Sequence, residues 1–125
     1  MKSKLLVLDD QHQYGRSLER ALRKEYELVL ATSLAEGKEK LTPDIGGALA
    51  DVCLDESNPN DRQGLEFVSW AKSQRPDLPI ISMSAVDDES LEVDALKAGA
   101  TRFLRKPIVI SQLKALLREM LREGN

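Results

Sequence analysis

Unbroken apolar runs alternate with stretches whose apolar residues recur at helical spacing, and the alternation repeats along the whole chain. Lys4 to Asp9 reads as a strand, rich in Leu and Val and uninterrupted, as strands covered on both faces are. Gln11 to Glu25 follows as a helix with Tyr14, Leu18, Ala21 and Leu22 on one stripe, and Gly15 weakens its first turns. Glu27 to Ala31 is a second strand. Thr32 or Ser33 then caps a short helix through Leu41, with Leu34 and Leu41 turned inward, and Pro43-Asp44 ends it. Ile45-Gly46-Gly47-Ala48-Leu49-Ala50-Asp51 is a third strand, small or apolar up to its last residue, and its glycine pair predicts a weak start.

Val52-Cys53-Leu54 leads into Asp55-Glu56-Ser57-Asn58-Pro59-Asn60-Asp61, a polar stretch that reads only as a loop. Gly64 closes it, and Leu65, Phe67, Val68, Trp70 and Ala71 form the apolar face of a helix that Pro76 stops. Leu78 to Met83 is the fourth strand. Asp87-Asp88-Glu89-Ser90 places negative charge at the start of a helix reaching Ala98, where the macrodipole favours it, and Gly99 is its C-terminal stop. Arg102 to Arg105 is the fifth strand. Ile110, Leu113, Leu116, Leu117, Met120 and Leu121 mark an amphipathic final helix. Strict strand–helix alternation predicts an α/β fold with right-handed crossovers and helices on both faces of a parallel sheet. The matching architecture is the flavodoxin-like, doubly wound (βα)5 sheet of order 2-1-3-4-5. With no linker or low-complexity tract, residues 1–125 read as a single domain.

Composition narrows the function classes. The chain has 125 residues, 42% hydrophobic and 31% charged, an ordinary globular composition that argues against disorder. A net charge of −3 without a basic patch argues against direct nucleic-acid binding. Cys53 is the only cysteine, which excludes an internal disulfide and a cysteine-based zinc site and fits a reducing compartment. The first apolar run, Leu5 to Leu8, is too short for a signal peptide, and no run suits a membrane span. The expectation is a soluble, cytoplasmic protein.

Several apolar runs end in reactive polar groups. Leu5-Leu6-Val7-Leu8 ends in Asp9-Asp10, the third strand in Asp51, Ile80-Ile81-Ser82-Met83 in Ser84, and Phe103-Leu104-Arg105 in Lys106. Ligands of open α/β sheets bind outside these carboxyl ends. Each group alone has an ordinary reading. Paired acids sit in solvated turns or cap helices, a strand-end Asp starts a turn, Ser84 is a common hydroxyl, Lys106 a solvated lysine, and Phe103 a core residue. Pro107 fits a turn, although X-Pro bonds are where cis peptides occur, and one here would fix the aim of Lys106. Jointly the groups point elsewhere. Adjacent first and third strands bring Asp9, Asp10 and Asp51 together, and such carboxylates repel one another unless a cation neutralises them. Hard oxygen ligands with room for water and phosphate suit Mg²⁺, with Mn²⁺ as its substitute, and the ion should stabilise the fold.

The pieces Leu6-Val7-Leu8-Asp9-Asp10, Ala50-Asp51-Val52, Gly64-Leu65-Glu66 and Pro79-Ile80-Ile81-Ser82-Met83-Ser84-Ala85 carry a resemblance. The most specific piece is Ala98-Gly99-Ala100-Thr101-Arg102-Phe103-Leu104-Arg105-Lys106-Pro107. Together they resemble the receiver domain of bacterial response regulators, from Lys4 to about Leu121. The resemblance implies a two-component phosphorelay module that accepts a phosphoryl group from a sensor histidine kinase, a phosphotransfer protein or a small phosphodonor. Asp51 would be the phosphoacceptor. Asp9, Asp10, Asp51 and the backbone carbonyl of Cys53 would hold Mg²⁺. Lys106 and Ser84 would assist transfer and grip the acyl phosphate, and Ser84 with Phe103 would switch the face formed by the fourth helix, fifth strand and fifth helix. The module would catalyse only its own phosphorylation and dephosphorylation. Further implied partners are an output domain, lost from this chain or carried separately, and a second copy in a phosphorylation-linked homodimer.

Two departures from the family pattern stand out. The loop between Asp51 and Gly64 is longer than is usual, and its acids Asp55, Glu56 and Asp61 sit at the mouth of the site. It reads as a solvated loop; the alternatives are added metal affinity and repulsion of a donor phosphate. The residues two beyond Asp51 and Ser84, which tune acyl-phosphate hydrolysis in the family, are Cys53 and Val86. Neither orients water well, so the phosphoform should be comparatively long-lived. The competing reading is a receiver-like interaction module that works without phosphorylation, and the intact set Asp9, Asp10, Asp51, Ser84 and Lys106 argues against it. A dehalogenase-type phosphatase would want Asp-x-Asp where this chain has Asp9-Asp10-Gln11. A flavodoxin would want a phosphate loop in place of Gln11-His12-Gln13. The ending Arg122-Glu123-Gly124-Asn125 fits either a natural terminus or the start of a linker.

Overall fold

Five parallel strands stand in the order β2-β1-β3-β4-β5 in the computed structural model, which describes residues 2–122. They are β1 (Ser3–Leu8), β2 (Tyr26–Ala31), β3 (Ile45–Asp51), β4 (Ile80–Ser84) and β5 (Arg102–Arg105). The helices α1 (His12–Leu22), α2 (Leu34–Lys40), α3 (Gln63–Gln74), α4 (Ser90–Ala98) and α5 (Ile110–Arg122) alternate with them. This is the expected α/β architecture. The closing residues 123–125 lie outside the described part.

Strand alternation sends side chains to two apolar layers. On one face Leu6, Leu8, Ala48, Ala50 and Ile80 pack with Phe67, Val68 and Ala71 of α3 and Ala95 of α4. On the other, Leu5, Val7, Leu49, Ile81 and Met83 pack with Leu18 and Leu22 of α1 and Leu113 and Leu117 of α5. Phe67 is fully buried, and truncating a side chain of that size costs about 3–5 kcal/mol. Its neighbour Trp70, half-buried, lies 6.1 Å away between ring centroids, and the Lys38 ammonium of α2 sits 5.6 Å from the indole. Trp70 therefore belongs to the seam between α2 and α3.

Local chemistry moves several boundaries from their expected places. Helix α1 ends at Leu22 rather than Glu25, because the Glu25 N–H turns back to the Leu22 carbonyl (3.0 Å) and delivers Tyr26 to the sheet. Strand β1 stops at Leu8; the Asp9 N–H still bonds the Ala31 carbonyl (3.0 Å), which leaves the Asp9 side chain free to leave the sheet. Ser33, rather than Thr32, caps α2 by accepting the Glu36 N–H at 3.1 Å, and α2 closes at Lys40. Strand β4 begins at Ile80, because Leu78 is held in a turn by its N–H to the Arg75 carbonyl. The weak start of β3 is a register shift: Lys4 faces Ile45, Leu5 faces Gly47, and Gly46 is the extra residue between them. Gly99 ends α4 with φ of +119°, a conformation that L side chains adopt only with strain. The Lys106–Pro107 peptide is cis.

Candidate functional site

The carboxyl ends of β1, β3 and β5 bring four of the expected residues into one cluster. Asp9 and Asp51 are buried and Asp10 is half-buried, and each offers a carboxylate oxygen within 4.8 Å of the others. Lys106 reaches across from the end of β5 and places its ammonium 2.5 Å from Asp51 Oδ2 and 2.7 Å from Asp9 Oδ2. The same ammonium lies 4.2 Å from the centroid of the Tyr14 ring, which forms one wall of the site. Backbone donors hold the acids: the Gln11 N–H bonds Asp9 Oδ1 (2.9 Å), and the Cys53 N–H bonds Asp51 Oδ1 (3.1 Å).

Electrostatics follow from burial. Desolvation pushes the Asp51 carboxyl up to about 6, against the pull of Lys106. Burial also raises Asp10, with the Glu56 N–H opposing the rise and the charge of Asp9 adding to it. For Lys106, burial disfavours the ammonium, but hydrogen bonds and attraction from Asp51 and Asp9 outweigh it and raise its pKa. At neutral pH the lysine is the cation among three acids. Three hard-oxygen donors at this spacing are of the kind that fits Mg²⁺ or Mn²⁺.

Ser84 and Phe103 lie outside this cluster of bonds. Ser84 ends β4, is buried, and uses its Oγ to accept the Val86 N–H (3.0 Å) rather than to bond Asp51. Its carbonyl accepts the Lys106 N–H (2.9 Å), which ties β4 to the lysine. Phe103 is half-buried on β5 beneath the Arg105 guanidinium, 5.4 Å from the ring centroid. Arg105 in turn donates to the carbonyls of Val86 (3.1 Å) and Asp88 (3.3 Å), so it fastens the β4–α4 loop over Phe103.

The long loop is exposed from Asp55 to Asn60, as expected of a solvated segment, and it is also tied to the site. The Glu56 N–H bonds Asp10 Oδ2 at 3.0 Å, and the Gln11 side-chain amide bonds the Glu56 carboxylate at 2.7 Å. The Cys53 thiol donates to the carbonyls of Asp55 (3.1 Å) and Asn58 (3.4 Å), and burial raises its pKa. Asp61 accepts the Leu54 N–H at 2.8 Å. Gly64 then passes so close to β3 that its N–H bonds the Val52 carbonyl at 2.9 Å.

Sequence reasoning placed Lys106 beside Asp51 and did not foresee its second bond to Asp9, nor the parts of Tyr14, Gln11 and Glu56. Tyr14 carried only the signal of an apolar helix stripe. Gln11 and Glu56 lie far apart in sequence and meet only through the loop's course. A separate groove, lined by Gly46, Arg75, Pro79, Thr101, Arg102 and Met120, opens near the amino ends of the strands, away from the acids. Among the described residues no helix is long and apolar enough to cross a membrane.

Comparison with known proteins agrees with this geometry. A family model described as the response regulator receiver domain matches residues 5–118. The chain is similar to response regulator MprA of Mycobacterium ulcerans, 36% identical over 123 residues that make up 98% of this chain and 51% of the relative. It is similar to response regulator protein PilR of Pseudomonas aeruginosa, 30% identical over 99% of this chain and 27% of the relative. The chain thus spans about half or less of the length of these relatives. A crystal structure of a CheY-like receiver domain protein from Methanospirillum hungatei matches with a TM-score of 0.86 and 26% identity, covering 98% of this chain and 96% of that one.

Proposed function

The chain belongs to the response regulator receiver domain family of two-component systems, and from that premise we propose that it is a working phosphoacceptor with Asp51 as the nucleophile. The observation that carries the proposal is the Lys106 ammonium shared between Asp51 and Asp9 beside Asp10. This arrangement keeps Asp51 ionised in a buried setting, as a carboxylate nucleophile requires. The reading that the chain acts only by binding, without phosphorylation, calls for a missing acceptor or lysine, and both are in place.

In the proposed reaction an Asp51 carboxylate oxygen attacks phosphorus, a new P–O bond forms, and the donor's bond to phosphorus breaks with its electron pair leaving on the donor. The donor is a phosphohistidine of a kinase or phosphotransfer protein, or a small acyl phosphate. Asp9, Asp10, Asp51 and the Cys53 carbonyl would hold Mg²⁺ or Mn²⁺, which supplies charge neutralisation for the transferring group. Lys106 exchanges an Asp51 oxygen for a phosphoryl oxygen without leaving the site. Ser84 turns its hydroxyl from the Val86 amide to the acyl phosphate. The β4–α4 loop follows, the Arg105 bonds to Val86 and Asp88 break, and Phe103 moves inward. The altered face of α4, β5 and α5 is what an output domain or a second copy would read, by a shift between two pre-existing states.

Intact-protein mass after incubation with acetyl phosphate tests the proposal. One phosphoryl gain that needs Mg²⁺, disappears in EDTA and is absent from Asp51→Asn is the expected result. A folded, metal-binding protein that gains no mass would overturn it in favour of a binding-only module.

A further inference from the structure

We infer that the loop spanning Asp55 to Asp61 positions Asp10 among the metal-facing acids, with Glu56 as its coupling residue; this rests on the reading of Asp9, Asp10 and Asp51 as cation ligands. Carboxylates that bind metals are themselves oriented by hydrogen-bond partners behind them. Asp9 and Asp51 have such partners in the backbone N–H groups of Gln11 and Cys53, each close to its acid in sequence. The Glu56 N–H is the corresponding donor for Asp10, and it comes from 46 residues away.

The loop's own bonds deliver that donor. Asp55 Oδ1 accepts from the Ser57 N–H (3.0 Å) and hydroxyl (2.5 Å), which curls the segment around Glu56. The Cys53 thiol and Asp61 fasten it to the strand exit at both ends. Gln11 completes a closed path. Its N–H bonds Asp9, its side-chain amide bonds the Glu56 carboxylate, and the Glu56 N–H bonds Asp10. The Gln11–Glu56 link adds to these anchors, and cutting it loosens the hold of the Glu56 N–H on Asp10. Glu56 is therefore a positioning residue: the bond it makes to Asp10 comes from its backbone, and its side chain serves to anchor that backbone.

Direct metal binding tests this without any phosphorylation step. The full chain is titrated with Mn²⁺, free ion being read by electron paramagnetic resonance, and with Mg²⁺ by calorimetry. Gln11→Ala and Glu56→Ala should each weaken binding by about fivefold, less than the roughly tenfold cost of losing a direct supporting partner, because the backbone donors to Asp9 and Asp10 stay in the chain. The double variant should be no weaker than either single one, because both cut the same link. Glu56→Gln, whose amide oxygen still accepts from Gln11, should keep most of the affinity. Unfolding temperatures in EDTA, equal across the set, confirm that the fold is intact. Affinities of the single alanine variants within about twofold of the parent would overturn the inference, as would Glu56→Gln binding as weakly as Glu56→Ala, which would make charge alone the cause. In either case a parent protein that binds Mg²⁺ and is phosphorylated on Asp51 leaves the phosphoacceptor reading standing. A parent that neither binds metal nor gains phosphate sinks both.

Discussion

A Cβ on Gly64 would stand 1.7 Å from the carbonyl oxygen of Asp51. The start of α3 is therefore pressed against the exit of β3, and only a hydrogen atom fits between them. The contact links the residue that ends the long loop to the residue proposed to carry the phosphoryl group.

Gly64→Ala should destabilise the protein by about 3 kcal/mol, the upper range for overpacking against backbone that cannot yield. It should also slow phosphorylation, because the displaced strand end carries Asp51. Urea unfolding and the rate of mass gain measure the two effects. An unchanged unfolding midpoint would mean that the two segments part without strain.

Lys106→Met leaves Asp9 and Asp51 unpaired in a buried site, and breaking such a pair costs about 3 kcal/mol or more. Mg²⁺ at millimolar concentration should restore part of this stability by binding only the folded protein. Phosphorylation should still fall by about a hundredfold, as with loss of a donor to a charged transition state. Denaturant curves with Mg²⁺ and with EDTA, beside the mass assay, separate the two roles. Full activity in Mg²⁺ would confine the lysine to stability.

In metal-free protein the pH dependence should carry the mark of Asp51. Its folded pKa of about 6 lies above the ordinary value of 3.8, so the folded state keeps the proton longer than the unfolded state does. The stability this contributes is full below about 3.8 and is lost as pH rises through 6. Asp10, raised by burial, acts in the same direction. Lys106, raised as well, contributes evenly across this window, because both its folded and unfolded forms stay charged. The parent protein in EDTA should thus lose stability relative to Asp51→Asn between pH 4 and pH 7. Parallel stability curves for the two proteins would contradict the assignment.

Hydrolysis of the acyl phosphate should be slow because neither neighbour of the site offers a base to water. The Cys53 thiol is engaged with two loop carbonyls, and Val86 is apolar. The pair Cys53→Asn and Val86→Glu should speed decay by about tenfold, a fraction of what a fully placed base contributes. The half-life of the phosphorylated mass in each protein decides it. An unaltered half-life would show that water is controlled from elsewhere.

The sheet and the three acids were legible in the sequence because burial on both faces demands unbroken apolar runs, and Asp9, Asp10 and Asp51 interrupt them at strand ends. The helix ends were less so. Whether α1 stops at Leu22 or Glu25 depends on where Tyr26 meets the sheet, which no local propensity encodes. The second bond of Lys106, to Asp9, joins residues 97 apart and emerges only when β1, β3 and β5 are set side by side. The loop was legible only in part. Asp55 and Glu56 are exposed, as the composition of a solvated turn implies, but the bonds of Glu56 to Asp10 and Gln11 were not, because a composition holds no record of partners.

Trp70 is the chain's only tryptophan, and it sits in the α2–α3 seam beside Phe67 and Lys38, on the helix that begins where the Asp55–Asp61 loop ends. The indole emission, excited at wavelengths that tyrosine does not absorb, therefore originates in that seam and not at the Tyr14 wall of the acidic site. A cation that simply docks leaves the colour and intensity of this light as they were. A cation that pulls the loop, and α3 with it, changes both, so the indole is a natural optical gauge that separates occupancy from mechanical response.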